Sequence, residues 1–336
     1  MNKVLTVVIP TYNMEKYLHK CLDSLTIEDR ELFETLEVLV VIDGGKDSSS
    51  NIAHEYEEKY SKVFRVIDKE NGNYGSCVNR GLAEAKGKYI KILDADDSFS
   101  TAALSGFLKY LNSVDDDMIL SSYVKIDENG KQIEVFKYNV PIKESLTFSD
   151  YCSKSTIMGV QMHGVTYKTE NLRKINYKQT EGISYTDQEW IFTPMTTVKS
   201  FSYFDKVLYL YLIGREGQTM DSNVIVKSMS QFESMVFSLV INYESRCKKS
   251  EIIDYLNYKL KDNIRFIYNR ALLKRNLSLD FLNAFDSKLK ELSTNVYILT
   301  EGILIHKLLP FKFVNYYRKK RARLPFYIMF AYKLLR

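Results

Sequence analysis

At 336 residues, 45% of them hydrophobic, the chain has material for one large or two small packed cores, and 26% charged content with only five prolines excludes a disordered or fibrous polymer. Cys21, Cys77, Cys152 and Cys247 stand singly, which excludes a zinc knuckle and a disulfide framework and fits a reducing cytosol. The net charge of +5 is uneven: Lys307, Lys312, Arg318, Lys319, Lys320, Arg321, Arg323, Lys333 and Arg336 face the single acid Glu301 in the final segment, a balance that favours an anionic partner.

The apolar stretch Val4 to Pro10 is too short for a secretory signal, and charges break every later apolar run. Neither export nor a transmembrane span is expected. In chain order, β-branched runs predict strands at Leu5–Ile9, Leu36–Ile42, Val63–Ile67, Tyr89–Leu93 and Met118–Ser122. Between them, three-to-four spacing predicts helices at about Met14–Leu25, Asn51–Tyr60, Ser76–Ala85 and Thr101–Leu111. This alternation predicts an α/β, Rossmann-like, doubly wound, mostly parallel sheet. Ligands of such sheets gather at strand carboxyl ends, where this chain places Pro10-Thr11-Tyr12-Asn13, Asp43-Gly44-Gly45 and Asp94-Ala95-Asp96-Asp97.

The middle carries a polar hairpin around Asp127-Glu128-Asn129-Gly130, an apolar segment ending Val165-Thr166-Tyr167 and a run Val207–Ile213, all expected to complete the same domain. From Ile225 onward the pattern reads as helical to the end. The expected domains are 1–220 and 221–336, the second a helical module with a basic amphipathic tail.

Carboxylates two apart after an apolar strand suit a hard divalent cation, Mn²⁺ or Mg²⁺, shared with phosphate oxygens, so Asp94 and Asp96 are the candidate metal ligands. The plainer alternative is a solvated turn with Ser98 or Ser100 capping the next helix. Asn71-Gly72-Asn73-Tyr74-Gly75-Ser76, then Asn79-Arg80-Gly81, places glycines and a fixed cation at a helix start, where anions bind, though it can equally be a tight turn. Neither a Gly-x-Gly-x-x-Gly fingerprint nor a Gly-x-x-x-x-Gly-Lys loop occurs, which argues against dinucleotide oxidoreductases and P-loop kinases. Asp43 can accept from a nucleobase or ribose, or simply form the turn.

Together, Val7-Val8-Ile9-Pro10-Thr11-Tyr12-Asn13, Val40-Val41-Ile42-Asp43-Gly44-Gly45, the segment through Gly81, and Leu93-Asp94-Ala95-Asp96-Asp97 resemble family 2 glycosyltransferases of the GT-A fold, of the bacterial cell-envelope polysaccharide type. The resemblance implies an inverting enzyme that moves a hexose or N-acetylhexosamine from a UDP-sugar to a saccharide or lipid-linked saccharide. It puts the nucleotide-sugar on Pro10, Thr11, Tyr12, Asn13, Asp43, Asn71, Gly75, Ser76, Asn79, Arg80, Asp94, Ala95 and Asp96. Two departures stand out: the family's paired acids after the second strand are reduced to Ile42-Asp43, and its Arg-Asn order is Asn79-Arg80 here.

Tyr185-Thr186-Asp187-Gln188-Glu189-Trp190 resembles the family's later acidic motif, which implies Asp187 as the base, with Glu189 second. A helix start with Thr186 or Asp187 as cap is the alternative. Trp190 reads as a sugar platform or, preferably, a core side chain. Arg215, between Gly214 and Gly217, resembles the mobile cation that offsets charge on the leaving UDP. His163 reads as a contact to acceptor or metal, or as a structural histidine.

The tail from Leu308 interleaves aromatic and basic groups, a pattern for a helix on an anionic membrane, which would put a cytoplasmic protein at the inner face of the cell membrane. It can instead pack on its own domain or serve a subunit contact. No nucleic-acid fold signature accompanies it. Two rival functions remain: a catalytically silent scaffold that binds sugar nucleotides, and a nucleotidyltransferase. The second would carry a basic Gly-rich loop after the first strand, where Pro10-Thr11-Tyr12-Asn13 stands.

Overall fold

Unbroken aliphatic runs sit at the centre of the sheet because both of their faces are covered. Leu5–Thr11 (β1) and Leu36–Ile42 (β2) are buried at every position, as parallel strands between helical layers are. The computed structural model describes residues 2–142, 144–215 and 226–335. The chain divides into two compact units, Met1–Thr219 and Met220–Arg336.

The first unit holds a single ten-stranded sheet. Its further strands are β3 (Phe64–Asp68), β4 (Tyr89–Ile92), β5 (Ser98–Phe99), β6 (Met118–Ile126), β7 (Gln132–Phe136), β8 (Leu146–Thr147), β9 (Val165–Lys168) and β10 (Ser200–Leu212). The order is β3-β2-β1-β4-β9-β6-β10-β5, with β7 beside β6 and β8 beside β10. The pairs β1–β2, β2–β3, β1–β4 and β6–β10 are parallel. β9, by contrast, runs antiparallel to both β4 and β6, which it joins. The doubly wound core is therefore completed by strands of both directions. Helices Glu15–Asp23, Ser49–Lys59, Asn73–Glu84 and Thr101–Ser113 connect the early strands.

β1 runs two residues beyond the predicted Ile9, through Pro10 and Thr11. The Leu93 N–H donates to Val8 O and the Asp43 N–H to Thr11 O, so alternate residues of β1 face β4 and β2 in turn. Pro10 faces the β4 side, and β4 has already ended at Ile92, opposite Val8. The missing N–H of proline therefore breaks no ladder bond. Lys91 is a second local solution. β9 pairs with β4 only at Tyr89 and Ile90. Beyond that point the Lys91 ammonium, fully buried, donates to His163 O at 2.7 Å and Val165 O at 3.0 Å.

In the second unit, helices Met229–Asn242, Ile253–Leu272, Leu279–Leu292, Thr294–Thr300, Phe313–Lys320 and Phe326–Leu334 are interrupted by a hairpin, Leu304–His306 against Leu309–Lys312. The expectation of helix to the end fails at Gly302-Ile303, where β-branched and aliphatic residues follow a glycine. Ser278 and Ser293 cap their helices through the Phe281 and Val296 amides. The tail is also not one helix: Arg321, at φ 49°, ends Phe313–Lys320, and Pro325 starts the next. Nor is its basic cluster wholly on the surface. Arg318 is buried against Asp286 at 2.8 Å and stacks on Tyr297. No helix among the described residues is long and apolar enough to cross a membrane.

Candidate active site

Parallel register brings three strand ends to one edge: Thr11 lies opposite Ile42, and Val8 opposite Ile92. A cleft of about 250 Å³ opens there, lined by Pro10, Thr11, Tyr12, Asp43, Asp94, Ala95, Asp96 and Arg215, with Met14, Asn73, Tyr74, Cys77, Ser184 and Tyr211. Thr11 is buried and Tyr12 is 50% exposed.

The turn after β2 is braced from within. Asp43 Oδ1 accepts from Lys69 Nζ at 2.6 Å and from the Gly72 N–H at 2.9 Å, while Asn71 Nδ2 donates to Asp43 O at 2.9 Å. Lys69 also donates to Ser76 Oγ at 2.9 Å. Asn13, at φ 52°, accepts the Lys46 N–H at 2.8 Å. Asn13, Asn71 and Ser76 thus hold the cleft's walls and are not among its lining. Lys69, which no motif marked, neutralises Asp43.

The acids after β4 are crowded. Tyr74 OH donates to Asp94 Oδ1 at 2.7 Å. Tyr209 OH donates to Asp97 Oδ2 at 2.6 Å and accepts the Asp94 N–H at 3.2 Å, and the Leu212 N–H donates to Asp97 Oδ1 at 2.7 Å. Asp96 is ion-paired with Arg215. Burial, then the Asp96 charge, raises the Asp94 carboxyl to about 7. Asp97 is raised for the same two reasons, with Asp94 adding to it. The Asp187 charge also acts on Asp94, which places it near this cluster.

His163 stacks on Tyr211, ring centroids 4.3 Å apart, and meets Tyr209 edge-on at 4.9 Å. Its Nδ1 is buried with no hydrogen-bond partner among the described residues. Burial, then Lys91 and Lys125, pushes the imidazole down to about 3, so the ring is neutral at physiological pH. Donor atoms of Asp94, Asp97 and His163 all lie within 4.8 Å of one another. Two carboxylates and a neutral imidazole with an orphaned nitrogen fit a divalent cation. Asp97 and His163 therefore join Asp94 in this donor group, whereas Asp96 is engaged by Arg215. The signal for Asp97 was its place directly after Asp94-Ala95-Asp96.

Other sequence candidates lie outside the cleft lining. Glu189 is 3% exposed and its two oxygens accept the Thr180 N–H at 2.7 Å and Thr180 Oγ1 at 2.6 Å. Asn79 exchanges bonds with the Gln179 main chain, at 2.9 and 2.8 Å. A Cβ on Gly75 would stand 2.1 Å from Thr180 O. These three residues clamp segment 179–181, which leads to Asp187. Arg80 is ion-paired with Glu84 one turn along its own helix. Trp190 is wholly buried, edge-on to Tyr167 at 5.2 Å, so its ring presents no face to a sugar. Gly214 has φ +90°, and Gly217 lies outside the described residues.

The "uncharacterized glycosyltransferase MG025 homolog" of Mycoplasma pneumoniae is 40% identical over 120 residues, 35% of this chain and 38% of that protein. Glycosyltransferase GlyG of Streptococcus pneumoniae is 30% identical over 130 residues, 38% of this chain and 42% of that protein. The chain thus matches less than half the length of these relatives. In fold it is similar to S. aureus TarS solved with UDP-GlcNAc, at TM-score 0.69 and 22% identity, covering 94% of this chain and 88% of that one. The fold is GT-A, a mixed sheet flanked by helices. A family model described as glycosyl transferase family 2 matches residues 6–175, half of the 336, and the chain belongs to that family.

Proposed function

We propose that this protein transfers a hexose or N-acetylhexosamine from a UDP-sugar to a saccharide or lipid-linked saccharide hydroxyl, with inversion, in cell-envelope polysaccharide synthesis. The observation that carries this reading is the convergence on one cleft of Pro10-Thr11-Tyr12, Asp43, Asp94, Asp96 and Arg215. The half-exposed Tyr12 ring and Asp43 suit a nucleoside. The acidic end of β4 suits its diphosphate only through a cation, since carboxylates and phosphates repel. Asp94, with Asp97, His163 or Asp96, would hold Mn²⁺ or Mg²⁺, which neutralises diphosphate charge when bound. The likeness to a fold solved with UDP-GlcNAc supports the donor class.

Transfer then needs a base on the far side of the anomeric carbon. The acceptor oxygen attacks that carbon, the bond to the diphosphate oxygen breaks, the hydroxyl proton passes to the Asp187 carboxylate, and UDP leaves. Arg215 stabilises the departing diphosphate by exchanging Asp96 for it. Glu189, Asn79 and Gly75 hold the segment before Asp187 in place. Asp187→Asn should leave UDP-sugar binding by calorimetry intact and cut turnover at least about 100-fold. Near-normal UDP release by that variant would remove Asp187 from the chemistry.

For location, we propose contact with an anionic membrane through the tail. Phe326, Phe330 and Leu334 recur every four residues and are 82%, 55% and 73% exposed, on a helix following Lys319 and Lys320. Flotation with phosphatidylglycerol vesicles should fall several-fold on Phe326→Ser/Phe330→Ser; unchanged flotation would exclude this helix as the contact.

A further inference from the structure

The helix Ile253–Leu272 presents Tyr258, Lys261, Asp262 and Arg265 at three- and four-residue spacing, hence on one face. These four residues, with Gly302, Ile303, Leu304, His306 and Lys307 at the hairpin, line a cavity of about 450 Å³ that lies entirely within the second unit. Its charge is unbalanced. Lys261, Arg265 and Lys307 face the single carboxylate of Asp262, and none of the three cations makes an ion pair among the described residues.

Arg265 is held in place without being neutralised. Its Nη2 donates to Ile305 O at 3.0 Å, while the buried Nε–H has no acceptor among the described residues. A guanidinium N–H left without an acceptor is costly. His306 adds a further donor: Nδ1 accepts the Leu308 N–H at 3.2 Å, which puts the ring proton on Nε2. The remaining lining is apolar, from Ile303, Leu304 and the Tyr258 ring.

We infer that this cavity binds a phosphate ester, its dianionic head between Lys261, Arg265 and Lys307 and its organic substituent on Ile303, Leu304 and Tyr258. Three cations against one acid leave a charge that a dianion balances, and an Arg fork with two lysines is the donor set phosphates select. A bare phosphate would leave the apolar floor and most of the volume unused. The site is separate from the cleft at the strand ends and does not depend on the proposed sugar transfer.

The test is calorimetric titration of the full chain without added metal or nucleotide, so that the acidic cleft of the first unit has no cation through which to hold a phosphate. Probes are glycerol phosphate, inorganic phosphate, and phosphatidylcholine vesicles with and without phosphatidic acid. Saturable binding of glycerol phosphate, tighter than inorganic phosphate and at least about tenfold weaker in Lys261→Gln/Lys307→Gln, supports a soluble ester as ligand. Binding only of phosphatidic acid vesicles, lost in the same variant, supports a lipid headgroup. Lys307 is exposed and Lys261 half-buried, and neither makes an ion pair among the described residues, so unchanged circular dichroism is expected of the variant, and Arg265→Gln gives a second reading. No binding by any probe, or equal binding by native chain and both variants, overturns the site.

Discussion

The two units each withdraw carboxylates from water, and they provide for them in opposite ways. Asp286, in the second unit, is fully buried and meets Arg318 at 2.8 Å, Arg321 at 2.8 Å, and the hydroxyls of Tyr268 and Tyr297. Arg318 in turn donates to Tyr297 O at 2.6 Å and Thr300 Oγ1 at 3.0 Å, so the cluster is closed on both sides. Asp94, Asp96 and Asp97, in the first unit, crowd one strand end, with Arg215 paired to Asp96 and beside them a His163 nitrogen that has no hydrogen-bond partner among the described residues. One acid met by two guanidinium groups and two hydroxyls is a structural joint; three acids and an imidazole gathered at a cleft around one paired cation are a donor set that fits a further cation. The shared chemistry of buried acids thus separates into two uses by counting the partners.

The sharpest break of this comparison is Asp286→Ala. It strands Arg318 in the interior, and loss of one member of such a pair costs about 3 to 5 kcal/mol. Urea denaturation followed by far-ultraviolet circular dichroism should show that loss, with Mn²⁺-dependent UDP binding by the folded protein unchanged. A shift below about 1 kcal/mol would mean that the cluster is dispensable.

Asp94→Asn should behave in the reverse sense. The amide oxygen still accepts the Tyr74 hydroxyl proton, and a charge that Asp96 and burial oppose is removed. The melting temperature without metal should hold or rise, within about 1 kcal/mol of stability, while Mn²⁺-dependent UDP binding weakens at least about tenfold. A large loss of stability with binding retained would make Asp94 a structural residue like Asp286.

What could be read from the chain follows the same division. Strands β1, β2 and β4 were legible because unbroken aliphatic runs have one use in a parallel sheet, and the acids at their ends mark the cleft directly. The roles of Glu189, Asn79 and Gly75 were not legible, because an acid, an amide and a glycine near a strand end look the same whether they touch a ligand or clamp Thr180. The decisive fact there is a contact across a hundred residues of sequence, between Asn79 and Gln179. Lys69 and Tyr209 were missed for the same reason: each meets its acid only through the sheet's register. In the tail, composition gave the charge but not that Arg318 turns inward, since Asp286 lies 32 residues earlier.

The smallest effect is expected where charges meet in water. His54 sits on the surface with Nε2 2.8 Å from Asp68 and Nδ1 2.8 Å from Glu57. The Asp68 hydrogen bond raises its pKa above the ordinary 6.5; burial opposes that rise, and the Glu57 hydrogen bond adds to it. A raised folded value means that the pair's stabilisation is fully present below the unfolded pKa and is lost as pH rises through the folded one. The ring is 48% exposed, so solvent screens the pair and the stabilisation stays well under about 1 kcal/mol. Asp68→Asn should therefore lower the His54 titration midpoint in proton NMR while leaving the denaturation midpoint at pH 5 almost unmoved. If that variant lost as much stability as Asp286→Ala, exposure would not be what separates a joint from a surface pair, and the contrast between the two acidic clusters would need another physical basis.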